Sequence, residues 1–127
     1  MKHPLIRRLT DGLGWPLLTA MDDVHAFTGA PGVHVLFVPG DPQRNIDTPK
    51  VAEALVSLQS VFAGQFDCAV IEARLEDAVR DAARVHKTPS LIFFSQGQQV
   101  DALVRAQDWP DYVARLTAAV SLPLAAE

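Results

Sequence analysis

Apolar positions fall in two rhythms along this chain. Val33-His34-Val35-Leu36-Phe37-Val38 and Phe66-Asp67-Cys68-Ala69-Val70-Ile71 are short, nearly unbroken apolar runs, as expected of strands covered on both faces. Between them Val51, Leu55, Leu58 and Phe62 recur at helical spacing. Thr48 reads as the N-cap of that helix, Pro49 as its first residue and Gly64 as its end. Leu75, Ala78, Val79, Ala82 and Val85 predict a second helix, closed before Pro89. Ser90–Phe94 and Gln99–Arg105 flank Ser95-Gln96-Gly97-Gln98 and read as a hairpin. Asp108 caps a last helix, with Pro110 and Asp111 in its first turn. Trp109, Tyr112, Val113, Leu116 and Val120 are its expected buried stripe.

Ahead of the first strand, Leu5, Leu9 and Leu13 predict a short amphipathic helix over about residues 4–12. Trp15–Thr19 reads as a short edge strand, which tolerates Pro16 near its start. Asp22 or Asp23 caps a helical turn through Val24 and Phe27, and Gly29-Ala30-Pro31-Gly32 breaks it. The tail from Pro123 to Glu127 is expected to fray. No repeat, linker or low-complexity run interrupts the pattern. Residues 1–127 therefore read as a single α/β domain, with a mixed central sheet and helices on both faces.

Composition narrows the function. With 49% apolar residues the chain can bury a real core unaided. A net charge of −4 and a pI near 5.5 argue against a nucleic-acid partner, which calls for a clustered basic face. No apolar run approaches the ~20 residues of a membrane span, so membrane insertion is not expected. Arg7-Arg8 invites the reading of a twin-arginine export signal. No continuous apolar region follows it, so a helix with two solvated arginines is preferred.

Reaction chemistry finds little support. The one cysteine, Cys68, sits in a predicted central strand and reads as a core residue. A single-cysteine thiol redox protein is the enzymatic alternative. His3, His25, His34 and His86 are not spaced as a metal-ligand pair, and His34 reads as a core or interface histidine. Gly29-Ala30-Pro31-Gly32 lacks the lysine of a phosphate-binding loop. Glu76-Asp77 reads as an ordinary pair of solvated charges on a helix surface. No metal site, catalytic residue or cofactor is expected.

The loop over residues 39–47 is the main candidate for function. Pro39 and Pro42 stiffen it, and Gly40 permits an unusual backbone angle. It lies beyond the C-terminal end of a strand, where open α/β sheets commonly bind ligands. Asp41, Arg44 and Asp47 bring both signs of charge. The competing reading is that Asp41 and Asp47 make turn and cap hydrogen bonds, with Arg44 paired to one of them.

The order strand, loop, helix at Thr48, then Lys87-Thr88-Pro89 before another strand resembles the thioredoxin layout. There the first loop normally carries Cys-x-x-Cys; here it has no sulfur. Thr88-Pro89 falls where that fold places a cis-proline. The backbone around Thr88 and Pro89 would then offer edge hydrogen bonds to an extended peptide. More specifically, Phe37-Val38-Pro39-Gly40-Asp41-Pro42-Gln43-Arg44, the Thr88–Phe94 strand with Gly97, and Arg105-Ala106-Gln107-Asp108-Trp109-Pro110-Asp111-Tyr112 resemble hydrogenase expression/formation accessory proteins of the HyaE/HupG type. The similarity runs from about Trp15 to Val120.

That resemblance implies a cytoplasmic, non-catalytic chaperone in nickel–iron hydrogenase maturation. Its implied partner is the hydrogenase small subunit precursor, held through a twin-arginine signal peptide; other maturation proteins are further partners. A basic and apolar peptide suits a site with carboxylates beside an apolar groove. The expected peptide-binding set is Asp41, Pro42, Arg44, Asp47, Glu72, Thr88 and Pro89, with Asp41, Asp47 and Glu72 as its carboxylates. A structural module or homodimer, packing through a sheet edge or the 39–47 loop, is the remaining alternative.

Overall fold

The two apolar runs lie side by side at the centre of a five-stranded sheet. The computed structural model describes residues 3–121, so the expectation for the tail from Pro123 falls outside the described residues. Helix α1 (Pro4–Arg7) continues as a π-helical turn over Arg8–Gly12. Strand β1 (Leu17–Leu18), helix α2 (Met21–Gly29), strand β2 (Val33–Val38) and helix α3 (Thr48–Val61) follow. Strand β3 (Phe66–Ile71) leads through a 3₁₀ turn at Ala73–Leu75 into helix α4 (Glu76–Ala83). Strands β4 (Ser90–Ser95) and β5 (Gln98–Val104) form the hairpin, and α5 (Trp109–Val120) is the last helix.

The sheet order is β1-β3-β2-β4-β5. β1, β3 and β2 run parallel; β4 is antiparallel to β2, and β5 to β4. The period of two along β2 divides its side chains between two cores. Val35 and Phe37 join Val51, Leu55 and Leu58 of α3, Leu116 of α5, and Ile6 and Leu9 of α1 and its π-helical turn. Leu36 and Val38 join Val24 of α2 and Val79 and Ala83 of α4. The expected α/β mixed sheet covered on both faces is what the chain forms. The hairpin turns through Gln96 and Gly97, both with positive φ, as a two-residue loop between twisted strands requires.

Five local expectations need correction. The π-helical turn, closed by Leu13 N–H donating to the Arg8 carbonyl at 3.0 Å, shifts the helical phase. Leu13 is consequently exposed, and Trp15 is buried instead, its indole N–H donating to Gln59 at 3.2 Å. At α2 the N-cap is Ala20, and Asp22 and Asp23 lie in the first turn. Thr48 is the first helical residue of α3 and not its cap; its hydroxyl donates to the Pro39 carbonyl at 2.8 Å. On α4, Ala78 and Ala82 face solvent, while Val79 and Ala83 carry the packing. On α5, Asp108 occupies the N-cap without a side-chain bond, and Trp109 is 41% exposed. Tyr112, Leu116 and Ala119 form the buried stripe of α5. Tyr112 is anchored at its polar end, where its hydroxyl accepts from Gln107 N–H at 3.0 Å.

Candidate functional site

Strand β2 delivers the chain into the loop over residues 39–47, and the loop is held from both ends. Asp41 organises its tip: one carboxylate oxygen accepts from Gln43 N–H at 3.0 Å. Its carbonyl accepts from the backbone N–H groups of Arg44 and Asn45. Asp47 accepts from Ala106 N–H at 3.2 Å, tying the loop to the segment after β5. Arg44 lies 3.6 Å from Asp41, with most of its side chain in solvent. The turn bond at Asp41 and the pairing of Arg44 follow the competing reading, but Asp47 makes no side-chain cap bond to α3 and instead tethers the loop to Ala106.

Gly40 sets how closely the loop approaches its neighbour. Its φ is +73°, and a Cβ there would stand 2.5 Å from Thr88 Oγ1 and 2.7 Å from Asn45 Nδ2. Only glycine fits both the backbone angle and the space. The adjoining Thr88–Pro89 peptide is cis, as the fold resemblance implies.

The seven expected site residues do not share one cavity. Arg44, Asp47, Thr88 and Pro89 line a shallow space of about 220 Å³ with Asn45, Ile46 and Arg105. Ile46 is 82% exposed there. Pro42 and Glu72 instead line a larger cleft of about 590 Å³, within the range usual for ligand clefts. Its apolar walls come from Ile6, Leu17, Pro39 and Ile71. It therefore sits where the parallel strands β1, β2 and β3 end, against α1. Asp41 lines neither cavity.

The larger cleft contains Glu76, in contrast to the expectation of solvated charges at Glu76-Asp77. Glu76, at the start of α4, lines it, and Glu76 Oε2 accepts from Gly40 N–H at 3.2 Å. Burial pushes the Glu76 carboxyl up to about 7, and the nearby charges of Asp77 and Asp41 add to the effect. The Gly40 hydrogen bond and Arg80 act in the opposite direction. Asp77, its sequence neighbour, is the solvated one, paired with Arg80 at 2.6 Å. Glu72 is held by Arg74 at 2.7 Å. Adjacent helix positions point about 100° apart, so Glu76-Asp77 can divide between cleft and solvent. The signal in the sequence is position: Glu76 opens the helix that follows β3 after a short 3₁₀ turn, at the ligand edge of the sheet.

Cys68 lies inside the core at 2% exposure. Burial pushes its thiol well above the usual range, with the Asp67 charge adding to the shift. A thiol so placed is a poor nucleophile. His34 is also buried, its Nδ1 facing Asp67 and its Nε2 the carbonyls of Ala30 and Pro31. Among the described residues no cluster of histidine, cysteine and carboxylate side chains is arranged to hold a metal. No helix among them is long and apolar enough to cross a membrane.

The strand order, the cis peptide before β4 and a loop leading into α3 define a thioredoxin-like domain whose first loop has no cysteine. Solved thioredoxins superpose accordingly. The thioredoxin of Malassezia sympodialis matches with a TM-score of 0.71 at 16% identity, covering 85% of this chain and 92% of that one. A thioredoxin variant of Halobacterium salinarum matches at 0.70 and 18%, covering 85% and 92%. At such identities the likeness concerns fold alone.

Sequence relationships are closer elsewhere. The family model described as hydrogenase-1 expression protein HyaE matches residues 5–112. The hydrogenase expression/formation protein HupG of Rhodobacter capsulatus is 46% identical over 113 residues, 89% of this chain and 82% of that protein. HoxO of Azotobacter vinelandii, described in the same words, is 36% identical over 118 residues, 93% and 78% of the two chains. The chain belongs to the HyaE family of hydrogenase expression/formation proteins.

Proposed function

We propose that this protein is a cytoplasmic, non-catalytic chaperone of nickel–iron hydrogenase maturation. In this reading it holds the hydrogenase small subunit precursor through the precursor's twin-arginine signal peptide, alongside other maturation proteins. One observation carries the reading beyond family membership. The loop that would bear a thioredoxin's cysteines instead edges an apolar cleft of about 590 Å³ that contains carboxylates. A signal peptide with arginines at one end and an apolar stretch beyond has the complementary character. Retention of a docking edge without its sulfur chemistry suits a holdase.

The test is capture of the purified precursor by this protein, with and without the signal peptide. Binding to the complete precursor and loss of at least tenfold in affinity on removing the signal is the expected result. Equal affinity for the two forms refutes signal recognition. A stable homodimer that leaves precursor binding intact is compatible with the reading; one that excludes the precursor favours the structural-module alternative.

A further inference from the structure

In the cleft beside α1 one carboxylate has no direct ion pair among the described residues, although Arg80 acts on it from a distance. Glu72 has Arg74 at 2.7 Å, and Asp77 has Arg80 at 2.6 Å. Glu76 has the Gly40 N–H at 3.2 Å and, among the described residues, no ion-pair partner. Its surroundings in the cleft are largely apolar. A carboxylate in such a place gains most from a cation that arrives with apolar surface attached, because the newcomer excludes water and supplies the missing charge.

We propose that Glu76, held by the Gly40 amide, is the carboxylate that receives a cationic side chain of a bound peptide, whose apolar residues pack on Ile6, Leu17 and Ile71. This rests on the reading above and puts the peptide in the cleft lined by Pro39, Gly40 and Pro42, on the other side of the loop from the Thr88–Pro89 backbone expected from the sequence. Arginine is the better cation, since its planar fork can engage a carboxylate and tolerates partial desolvation.

A proton accompanies the binding. Below about pH 7 the empty cleft holds Glu76 protonated, and a cation must displace that proton. Affinity therefore rises with pH through about 7 and levels off above it. With the ionised form as the binding form, the loss between pH 8 and pH 6 is about tenfold. The charged groups acting on Glu76 are Arg80 and Asp77 on α4 and Asp41 on the loop. Glu72, Arg74 and His3 share its cleft.

Two synthetic peptides provide the test: one with two adjacent arginines followed by eight apolar residues, and one with both arginines replaced by glutamine. Amide NMR of the whole protein, with the Gly40 resonance as reporter, locates the peptide without any mutation. Expected are a shift of the Gly40 amide, at least tenfold weaker binding of the glutamine peptide, and the pH dependence above. Glu76→Gln should flatten that dependence. An unmoved Gly40 resonance at saturation, or an unchanged pH profile in Glu76→Gln, overturns the assignment. If the precursor is held by its signal while Gly40 is silent, only this inference falls. If the arginine peptide fills the cleft while the precursor binds equally well without its signal, only the signal-recognition reading falls.

Discussion

Replacing Glu76 with glutamine should make the free protein more stable, by an amount that grows as pH rises from about 4.5 to about 7. The folded state holds the Glu76 proton up to about pH 7, whereas the ordinary value for a glutamate is 4.5. A folded state that binds its proton more tightly than the unfolded chain has that contribution in full below pH 4.5. It loses the contribution progressively as pH rises to about 7, and the difference is constant above. Each pH step in that window is worth about 1.4 kcal/mol. The whole window therefore bounds the effect at about 3 kcal/mol, and partial solvent contact of the carboxylate brings the expectation to about 1–2 kcal/mol. Glutamine keeps an oxygen that can accept from Gly40 N–H and never ionises. Glu76→Gln should therefore match the native protein near pH 4 and exceed it by about 1–2 kcal/mol at pH 8. Urea unfolding of both proteins at several pH values measures the difference, in which titrating groups that do not act on Glu76 cancel. A gap that does not change with pH, or a variant less stable at pH 8, refutes the account of Glu76 as a desolvated acid. Such a site is a burden in the empty protein, of the sort retained where function needs it.

Other consequences can be checked alongside. Gly40→Ala forces a left-handed backbone angle on alanine and drives its methyl into Thr88; a loss of about 2 kcal/mol or more in denaturant unfolding is expected. Leu55→Ala and Phe93→Ala remove fully buried side chains from the sheet–helix core and should each lower stability by about 2–5 kcal/mol, read from the urea midpoint. Cys68 should react with a thiol reagent far more slowly in the native protein than in denaturant, because burial both hides it and suppresses its thiolate; rapid native labelling near neutral pH would revive the single-thiol alternative.

The sequence announced the scaffold because burial and periodicity agree there. The runs at Val33–Val38 and Phe66–Ile71 became adjacent parallel strands with the expected limits. The Val51, Leu55 and Leu58 stripe became the face of α3. Where the reading failed, a long-range contact overrode a local rule. Thr48 has every local mark of a cap, yet its hydroxyl serves the Pro39 carbonyl nine residues earlier. Trp109 has the hydrophobicity of a core anchor, but α5 buries Tyr112, Leu116 and Ala119 and turns Trp109 outward. Charges at the loop drew attention to Asp41, Arg44 and Asp47 because they are adjacent in sequence. Glu76 lies far along the chain and is brought into the cleft by the β3–α4 connection; its place after a strand end hints at this, but its neighbour Asp77 shares that hint, and only the helical phase separates them.

The bond from Thr48 to Pro39 also determines how the end of β2 and the start of α3 are joined. With Thr48 fully buried, its hydroxyl clasps the two ends of the 39–47 loop together, so the loop behaves as a closed handle whose outer residues can be exchanged while its base stays fixed. Thr48→Val keeps the shape of the side chain but removes the clasp, and it should loosen the loop before it loosens the sheet.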